Sequence, residues 1–104
     1  MNTPRTLTLE ILSGPLDGAT VTLEAATEWS KTSASLLAFP WDAELGTPQA
    51  RFVPDAEGWQ LEGVQSPHGT RRANSGERIT TETLQLEEGD LLKASDTWLL
   101  VQKI

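Results

Sequence analysis

The sequence between residues 58 and 92 carries the pattern that decides the fold. It begins with an alternating segment, Trp59-Gln60-Leu61-Glu62, which is followed by a Pro/Gly turn, Ser66-Pro67-His68-Gly69-Thr70. A second strand-like segment is Gly76-Glu77-Arg78-Ile79. The last segment contains a Gly-Asp corner and reads Leu84-Gln85-Leu86-Glu87-Glu88-Gly89-Asp90-Leu91-Leu92. Apolar and polar residues alternate with a period of two, as in strands that bury one face. Pro and Gly separate these segments by tight turns. The pattern predicts a small β-sandwich whose loops do the binding.

The rest of the chain continues this alternation. Two hairpin-like stretches lie at 6–24 and 91–102, and shorter apolar runs at 35–39 and 49–53 predict further strands. No segment keeps the apolar spacing of a helix over about three turns. We therefore expect one domain over residues 1–104, an all-β sandwich of two antiparallel sheets with about ten short strands. Both chain ends should lie on the side away from the binding loops.

The composition excludes several classes of function. Fifteen acidic residues against eight Lys and Arg give a formal charge of -7, which argues against a general nucleic-acid binder and against docking on an anionic membrane. The chain has no Cys and one His, which excludes disulfides, thiol catalysis and Cys- or His-rich metal sites. No run resembles a signal peptide or a membrane span. We expect a cytoplasmic protein without a metal or cofactor.

The tryptophans offer both core and contact positions. Trp59 and Trp98 lie inside alternating strands, and we expect both in the core. Trp41 stands in a loop between Pro40 and Asp42, where it either contacts a partner or covers one end of the sandwich. A glycan-binding surface would depend on Trp41.

Charged residues near the central turn have structural interpretations that compete with functional ones. Arg71 and Arg72 form either an anion site or a solvated pair, and we favour the solvated pair because neighbouring strand residues point to opposite faces. His68 is more simply an exposed turn residue than a pH-sensitive ligand. Asp90 is expected to accept hydrogen bonds from turn amides. No two carboxylates are placed together in a cleft, so we expect no enzyme.

Over most of its length the chain resembles the forkhead-associated (FHA) domain, a module that recognises phosphothreonine. The resemblance is carried by the order of the segments quoted above. The segment 58–61 is similar to the strand before the family's phosphopeptide loop, 66–70 to its Ser-x-Asn-Gly-Thr turn, and 76–79 and 86–90 to its later strand and Gly-Asp corner. The resemblance implies an FHA-like β-sandwich with its peptide site in the loops.

At the recognition positions the resemblance implies a degenerate site. Where the family has Gly-Arg the chain has Ser30-Lys31, and where the family has Ser-Arg-x-His it has Gly46-Thr47-Pro48-Gln49. The family's Arg and Ser bind phosphate, its His braces the loop, and its turn Asn, here His68, binds the peptide backbone. A Lys keeps the charge of an Arg but not its planar pair of donors. The residues that match the family are Ser66, Gly69 and Thr70.

These departures imply a non-catalytic protein–protein interaction module that does not recognise phosphothreonine in the usual manner. Its partner would be a protein or peptide. Its contact loops would carry Lys31, Thr47, Ser66, His68, Gly69, Thr70 and Arg71, together with Trp41. Two alternatives stay open: phosphopeptide binding through the substituted pocket, and a structural or assembly domain of a larger machine such as a secretion system. A small glycan-binding sandwich or an enzyme comes last.

Overall fold

The computed structural model describes residues 6–31, 36–64 and 69–104, and over these ranges the chain is all-β. It forms eleven strands and one short 3-10 helix: β1 (Leu7–Ile11), the 3-10 helix (Gly14–Leu16), β2 (Thr20–Leu23), β3 (Thr27–Ser30), β4 (Leu37–Ala38), β5 (Ala50–Asp55), β6 (Gly58–Gly63), β7 (Thr70–Arg72), β8 (Glu77–Ile79), β9 (Thr83–Gln85), β10 (Leu91–Ala94) and β11 (Thr97–Lys103). The expected all-β architecture is confirmed. No helix in these ranges has the length and apolarity that crossing a bilayer requires. Two predicted site residues, Ser66 and His68, lie outside the described residues.

The strands form two sheets that enclose the core. One has six strands in the order β2-β1-β11-β10-β7-β8, and the other has five in the order β4-β3-β5-β6-β9. The pairings are antiparallel except that of β3 with β4, so the five-stranded sheet is mixed rather than purely antiparallel. The edge strand β4 has only two residues, and the Phe39 amide just after it donates to the Ser30 carbonyl.

Alternation along the strands separates a buried face from an exposed one. In β1, Leu7, Leu9 and Ile11 are buried, while the residues between them are half-buried. In the other sheet Trp29 and Trp59 are fully buried, which confirms the core position expected for Trp59. Side chains from both sheets belong to one hydrophobic cluster, so a single core holds the sandwich together.

Trp98 is half-buried, and its expected position in the core is wrong. The alternation of β11 turns Thr97, Leu99 and Val101 inward, so Trp98 stands on the outer face of the six-stranded sheet. There the Lys93 ammonium lies over the indole, 5.4 Å from the ring centroid. A strand with apolar residues on both faces, such as β11, does not reveal from its sequence which face is buried.

The described chain begins and finishes at one end of the sandwich, away from the described loops that are predicted to bind a partner. Lys103, at the end of β11, pairs with Thr8 near the start of β1. The Ser95-Asp96 turn lies at the other end of β11, where Ser95 contacts Asp42. We call this second end the loop end, and it comprises residues 31, 40–49, 69–70 and 95–97.

Candidate functional site

Asp42 ties the loop between β4 and β5 to the turn between β10 and β11. Its Oδ1 accepts a hydrogen bond from Ser95 Oγ at 2.6 Å, and its Oδ2 accepts from Thr97 Oγ1 at 2.7 Å and from the Asp96 amide at 3.0 Å. A fourth donor, the Glu44 amide, lies 3.3 Å from Oδ1. Asp42 is only 3% exposed. One buried side chain therefore joins a loop of the five-stranded sheet to a turn of the six-stranded sheet.

The pKa of Asp42 lies below its ordinary value. Burial raises that pKa, but hydrogen bonds from the Ser95 and Thr97 hydroxyls, and then from the backbone amides of Asp96 and Glu44, outweigh the effect of burial. The carboxyl group is therefore ionised at neutral pH. Ser95 has a φ of 54°, a left-handed conformation that costs a non-Gly residue about 1 kcal/mol, and its bond to Asp42 helps to hold it there.

Gln49 ties the same loop to Gly69 and Thr70, at the start of β7. Its Oε1 accepts from the Gly46 amide at 2.8 Å, and its Nε2 donates to the Gly69 carbonyl at 2.9 Å and to Thr70 Oγ1 at 3.0 Å. Gln49 and Thr70 are each 2% exposed. In the resemblance given above, Gln49 stands where a His braces the loop. A side-chain amide can both accept and donate, so it makes the same kind of bridge and the loops stay braced.

Lys31 lies half-buried against this loop. Its Nζ donates to the Ala43 carbonyl at 3.3 Å, and its backbone amide donates to the Gly46 carbonyl at 3.1 Å. Thr47, the residue after Gly46, is exposed. The structure thus brings four of the predicted site residues to one end of the sandwich: Lys31, Thr47, Gly69 and Thr70.

Arg71 and Arg72 point to opposite faces of β7, but they are not a solvated pair. The Arg71 side chain is exposed on the outer face. The Arg72 side chain is only 12% exposed, with Nη1 2.8 Å from Glu77 Oε1 and Nε 3.2 Å from Asp90 Oδ2. The solvated-pair interpretation is wrong for Arg72 because its side of β7 faces the interior, where Asp90 is buried. Asp90 also accepts from the Glu87 amide at 2.8 Å, which confirms its predicted role.

A depression of about 440 Å³ adjoins the loop end on the outer face of the six-stranded sheet. Its lining consists of three cations, two acidic residues, a Gly and a Ser: Arg71, Arg78, Lys93, Glu44, Asp96, Gly69 and Ser95. The sequence pattern singled out Gly69 and Arg71 but missed Arg78 and Lys93. In the sequence, Arg78 and Lys93 are marked only as alternating residues of two separate strands, β8 and β10. The strand order, which places β8 and β10 on either side of β7, is what brings them next to Arg71.

No family model matches the chain, and a comparison with curated proteins finds no match. Solved structures do match. The FHA domain of a hypothetical protein from Arabidopsis thaliana has a TM-score of 0.82 at 24% identity, over 94% of this chain and 85% of that one. An FHA domain studied for phosphothreonine-dependent interactions has a TM-score of 0.76 at 20% identity, over 95% and 97%. The FhaA FHA domain, complexed with the intracellular domain of Rv3910, has a TM-score of 0.75 at 21% identity, over 92% and 99%. This chain has the FHA fold.

The resemblance carried by the sequence is therefore confirmed for the fold. In this FHA fold the loop after β4, the start of β7 and the turn after β10 meet at one end, where Asp42 and Gln49 hold them together. Within the described ranges no group of three His, Asp or Glu side chains is arranged to hold a metal ion.

Trp41 covers part of the loop end of the FHA fold and is still 43% exposed. Its ring meets Phe39 edge-on, with ring centroids 5.7 Å apart. A Cβ at Gly14 would lie 2.6 Å from Trp41 Nε1, so the indole rests directly on the backbone of the 3-10 helix. These contacts fit the alternative in which Trp41 covers one end of the sandwich. A contact between the exposed part of Trp41 and a partner stays a prediction.

Proposed function

We propose that this chain is a non-catalytic protein–protein interaction module whose loop end binds a protein or peptide without recognising phosphothreonine in the usual manner. The observation that carries the proposal is the bracing of the loops by two buried polar side chains, Asp42 and Gln49. Loops held in place before a partner arrives lose less conformational entropy on binding. Trp41 and Thr47 are exposed on these loops, and aromatic side chains are enriched at protein interfaces.

Two of the similar structures support this class of ligand. One comes from work on phosphothreonine-dependent FHA interactions, and the other is a complex with the intracellular domain of Rv3910. We extend only the class of ligand, a polypeptide, to this chain. The rest of the proposal depends on its own residues.

Lys31 and Gly46 support the view that phosphothreonine is not the ligand. Lys31 stands where the FHA pattern has an Arg, and its ammonium group already donates to the Ala43 carbonyl. Gly46 has no hydroxyl where the pattern has a Ser. A charged hydrogen bond contributes about 1.5–3 kcal/mol, so the loss of two such bonds would weaken phosphopeptide binding roughly a hundredfold to ten-thousandfold.

Phosphopeptide binding through the substituted pocket is the second candidate function. Gln49 holds Gly69 and Thr70 in place, as the His of the pattern would. The exposed Thr47 hydroxyl lies next to Gly46 and offers a replacement for the missing Ser. A structural or assembly role predicts instead self-association or a large interface that Lys31→Ala does not disturb.

An amide NMR titration separates the two candidates. The isotope-labelled domain is titrated with a degenerate phosphothreonine peptide library and, separately, with the unphosphorylated library. The proposal predicts no shifts specific to the phosphorylated library at Lys31, Thr47, Gly69 or Thr70. The proposal would be refuted in favour of the second candidate if the phosphorylated library alone shifted the amide signals of these residues. Those shifts should then be lost in Lys31→Ala and retained in Lys103→Ala. Lys103 is a suitable control because it is exposed at the opposite end of the sandwich.

Photo-crosslinking tests the loop end directly. A crosslinking residue at Thr47 should capture a partner protein from extracts of the source cells, and one at Lys103 should not. Equal capture at the two positions would contradict the assignment of the contact surface to the loop end.

A further inference from the structure

Three cations stand side by side on the outer face of the six-stranded sheet. Lys93 of β10 lies directly opposite Arg71 of β7, and Arg71 lies directly opposite Arg78 of β8. On its other side Lys93 is opposite Trp98 of β11, and its Nζ lies 5.4 Å from the centroid of the indole ring. Directly opposed residues of an antiparallel pair point to the same face. The four side chains therefore form one row across four strands, which we call the cationic row.

Charge pairing between opposed strand residues does not explain the cationic row. Elsewhere in the two sheets, Arg51 is opposite Glu62 and Arg72 is opposite Glu77, and both are ion pairs. By contrast, Arg71, the neighbour of Arg72 in β7, is opposite another arginine, Arg78. Like charges directly opposite one another destabilise a sheet. A chain of net charge -7 places three of its eight Lys and Arg here, which fits a negatively charged ligand.

The spacing of the row fits an extended peptide. Neighbouring strands are about 4.8 Å apart, so the row spans about 14 Å from Trp98 to Arg78, the length of roughly four extended residues. The three cations line the depression of about 440 Å³ together with Gly69, Ser95 and two acidic residues from the loops at its edge, Glu44 and Asp96. At the far end of the row, the half-buried indole of Trp98 offers an apolar surface.

We propose that the cationic row binds an acidic linear segment of a partner protein, with Asp or Glu side chains on Arg71, Arg78 and Lys93 and an apolar side chain against Trp98. A guanidinium group binds a carboxylate through two parallel N–H donors. Arginine and tryptophan also dominate the residues that contribute most to protein interfaces. A line of cations about 4.8 Å apart matches a series of single charges rather than one phosphate, which needs donors that converge on a point. The inference rests on the proposed function only in taking the ligand to be a polypeptide.

The test uses two synthetic peptides of about ten residues, long enough to cover the row in extended form. One consists of Asp, Glu and Leu, and in the other every Asp and Glu is replaced by Asn and Gln. Binding is measured by fluorescence anisotropy and located by amide NMR shifts. We expect only the acidic peptide to bind, with an affinity that falls as the salt concentration rises. The shifts should centre on residues 71, 78, 93 and 98.

Arg71→Gln should weaken binding of the acidic peptide about three- to fivefold, as expected for the loss of one exposed charged contact. Arg51→Gln removes the same charge from an exposed strand residue of the other sheet and should change the affinity by less than about twofold. Arg71→Gln relieves a like-charge contact, so this variant should unfold at the same temperature as the wild type or higher. Weaker peptide binding by the variant could then not be attributed to a loss of folding.

Equal weakening by the two variants, equal binding of the two peptides, or shifts centred outside the cationic row would overturn the proposal. The Thr47 crosslink tests the loop end on its own. Failure of that crosslink alone would refute the loop-end function and leave the cationic row standing.

Discussion

The Asp42 carboxylate offers the sharpest test of how the loop end is held together. Asp42→Asn keeps the shape of the side chain but removes its charge and turns one acceptor oxygen into an NH₂ donor. The best placement keeps the remaining oxygen on Thr97 Oγ1 and the Asp96 amide, at 2.7 and 3.0 Å in the wild type. The NH₂ group then faces Ser95 Oγ, which can rotate and accept, and the Glu44 amide, which cannot.

The expected loss of stability follows from these contacts. Three short hydrogen bonds change from charge-assisted to neutral, which weakens each by about 1 kcal/mol and all three by about 3 kcal/mol. A neutral amide costs less to bury than a carboxylate, so part of this loss is returned. We expect Asp42→Asn to lower the free energy of unfolding by about 2 kcal/mol and the Tm by about 10 °C.

The effect of this substitution should also depend on pH. The pKa of Asp42 is lowered in the folded protein, so the ionised carboxylate contributes its full stability above the unfolded pKa of about 4. That contribution is lost as the pH falls through the folded pKa. The difference in stability between wild type and Asp42→Asn should therefore be constant between about pH 5 and pH 8 and should shrink below about pH 4.

Urea unfolding followed by tryptophan fluorescence measures both proteins at each pH. Asp96→Asn is the matched control because it makes the same chemical change at an exposed neighbouring carboxylate. It should alter the free energy of unfolding by less than about 0.5 kcal/mol. An equally small effect of Asp42→Asn, or one that does not shrink in acid, would refute the view that charge-assisted bonds to Asp42 hold the loop end.

Three further substitutions test other contacts. Gln49→Leu removes the bridge to the start of β7 and should lower the free energy of unfolding by about 2 kcal/mol, with faster amide hydrogen exchange at Gly69 and Thr70. Gly14→Ala strains a backbone at φ +68° and places a methyl group 2.6 Å from Trp41 Nε1. It should cost about 2–3 kcal/mol and shift the tryptophan fluorescence. Arg72→Met leaves the buried Asp90 carboxylate without its cation, which should cost about 3 kcal/mol in urea unfolding.

Each of these substitutions has a matched control. Gln60→Leu, on a half-buried strand position, should cost less than about 0.5 kcal/mol, and a cost equal to that of Gln49→Leu would show that the bridge contributes nothing. Gly18→Ala imposes backbone strain with nothing within 4 Å of the new methyl group. It should cost about 1 kcal/mol and leave the fluorescence unchanged. Arg51→Met breaks an exposed ion pair worth less than about 1 kcal/mol, so an effect as large as that of Arg72→Met would contradict the buried-pair argument.

The sequence by itself determined the architecture. A strand that buries one face needs an apolar residue at every second position, and this requirement is local, so β1 and β6 can be recognised before any contact is known. The resemblance of the ordered motifs between residues 58 and 92 to the FHA pattern then implied an FHA-like sandwich. The role of Asp90 is also local, because a Gly-Asp corner places a carboxylate next to the amides of its own turn.

Only the tertiary structure decided which residues of distant segments become neighbours. Alternation specifies the two faces of a strand but not its partners, so the meeting of Lys93, Arg71 and Arg78 depends on a strand order that the pattern does not contain. Asp42 finds Ser95 53 residues further along the chain. Trp98 could not be assigned because β11 is apolar on both faces. Burial of apolar faces follows a period along the chain, whereas hydrogen bonds and ion pairs act over a few ångströms in space, and only the assembled sheets bring their partners within that range.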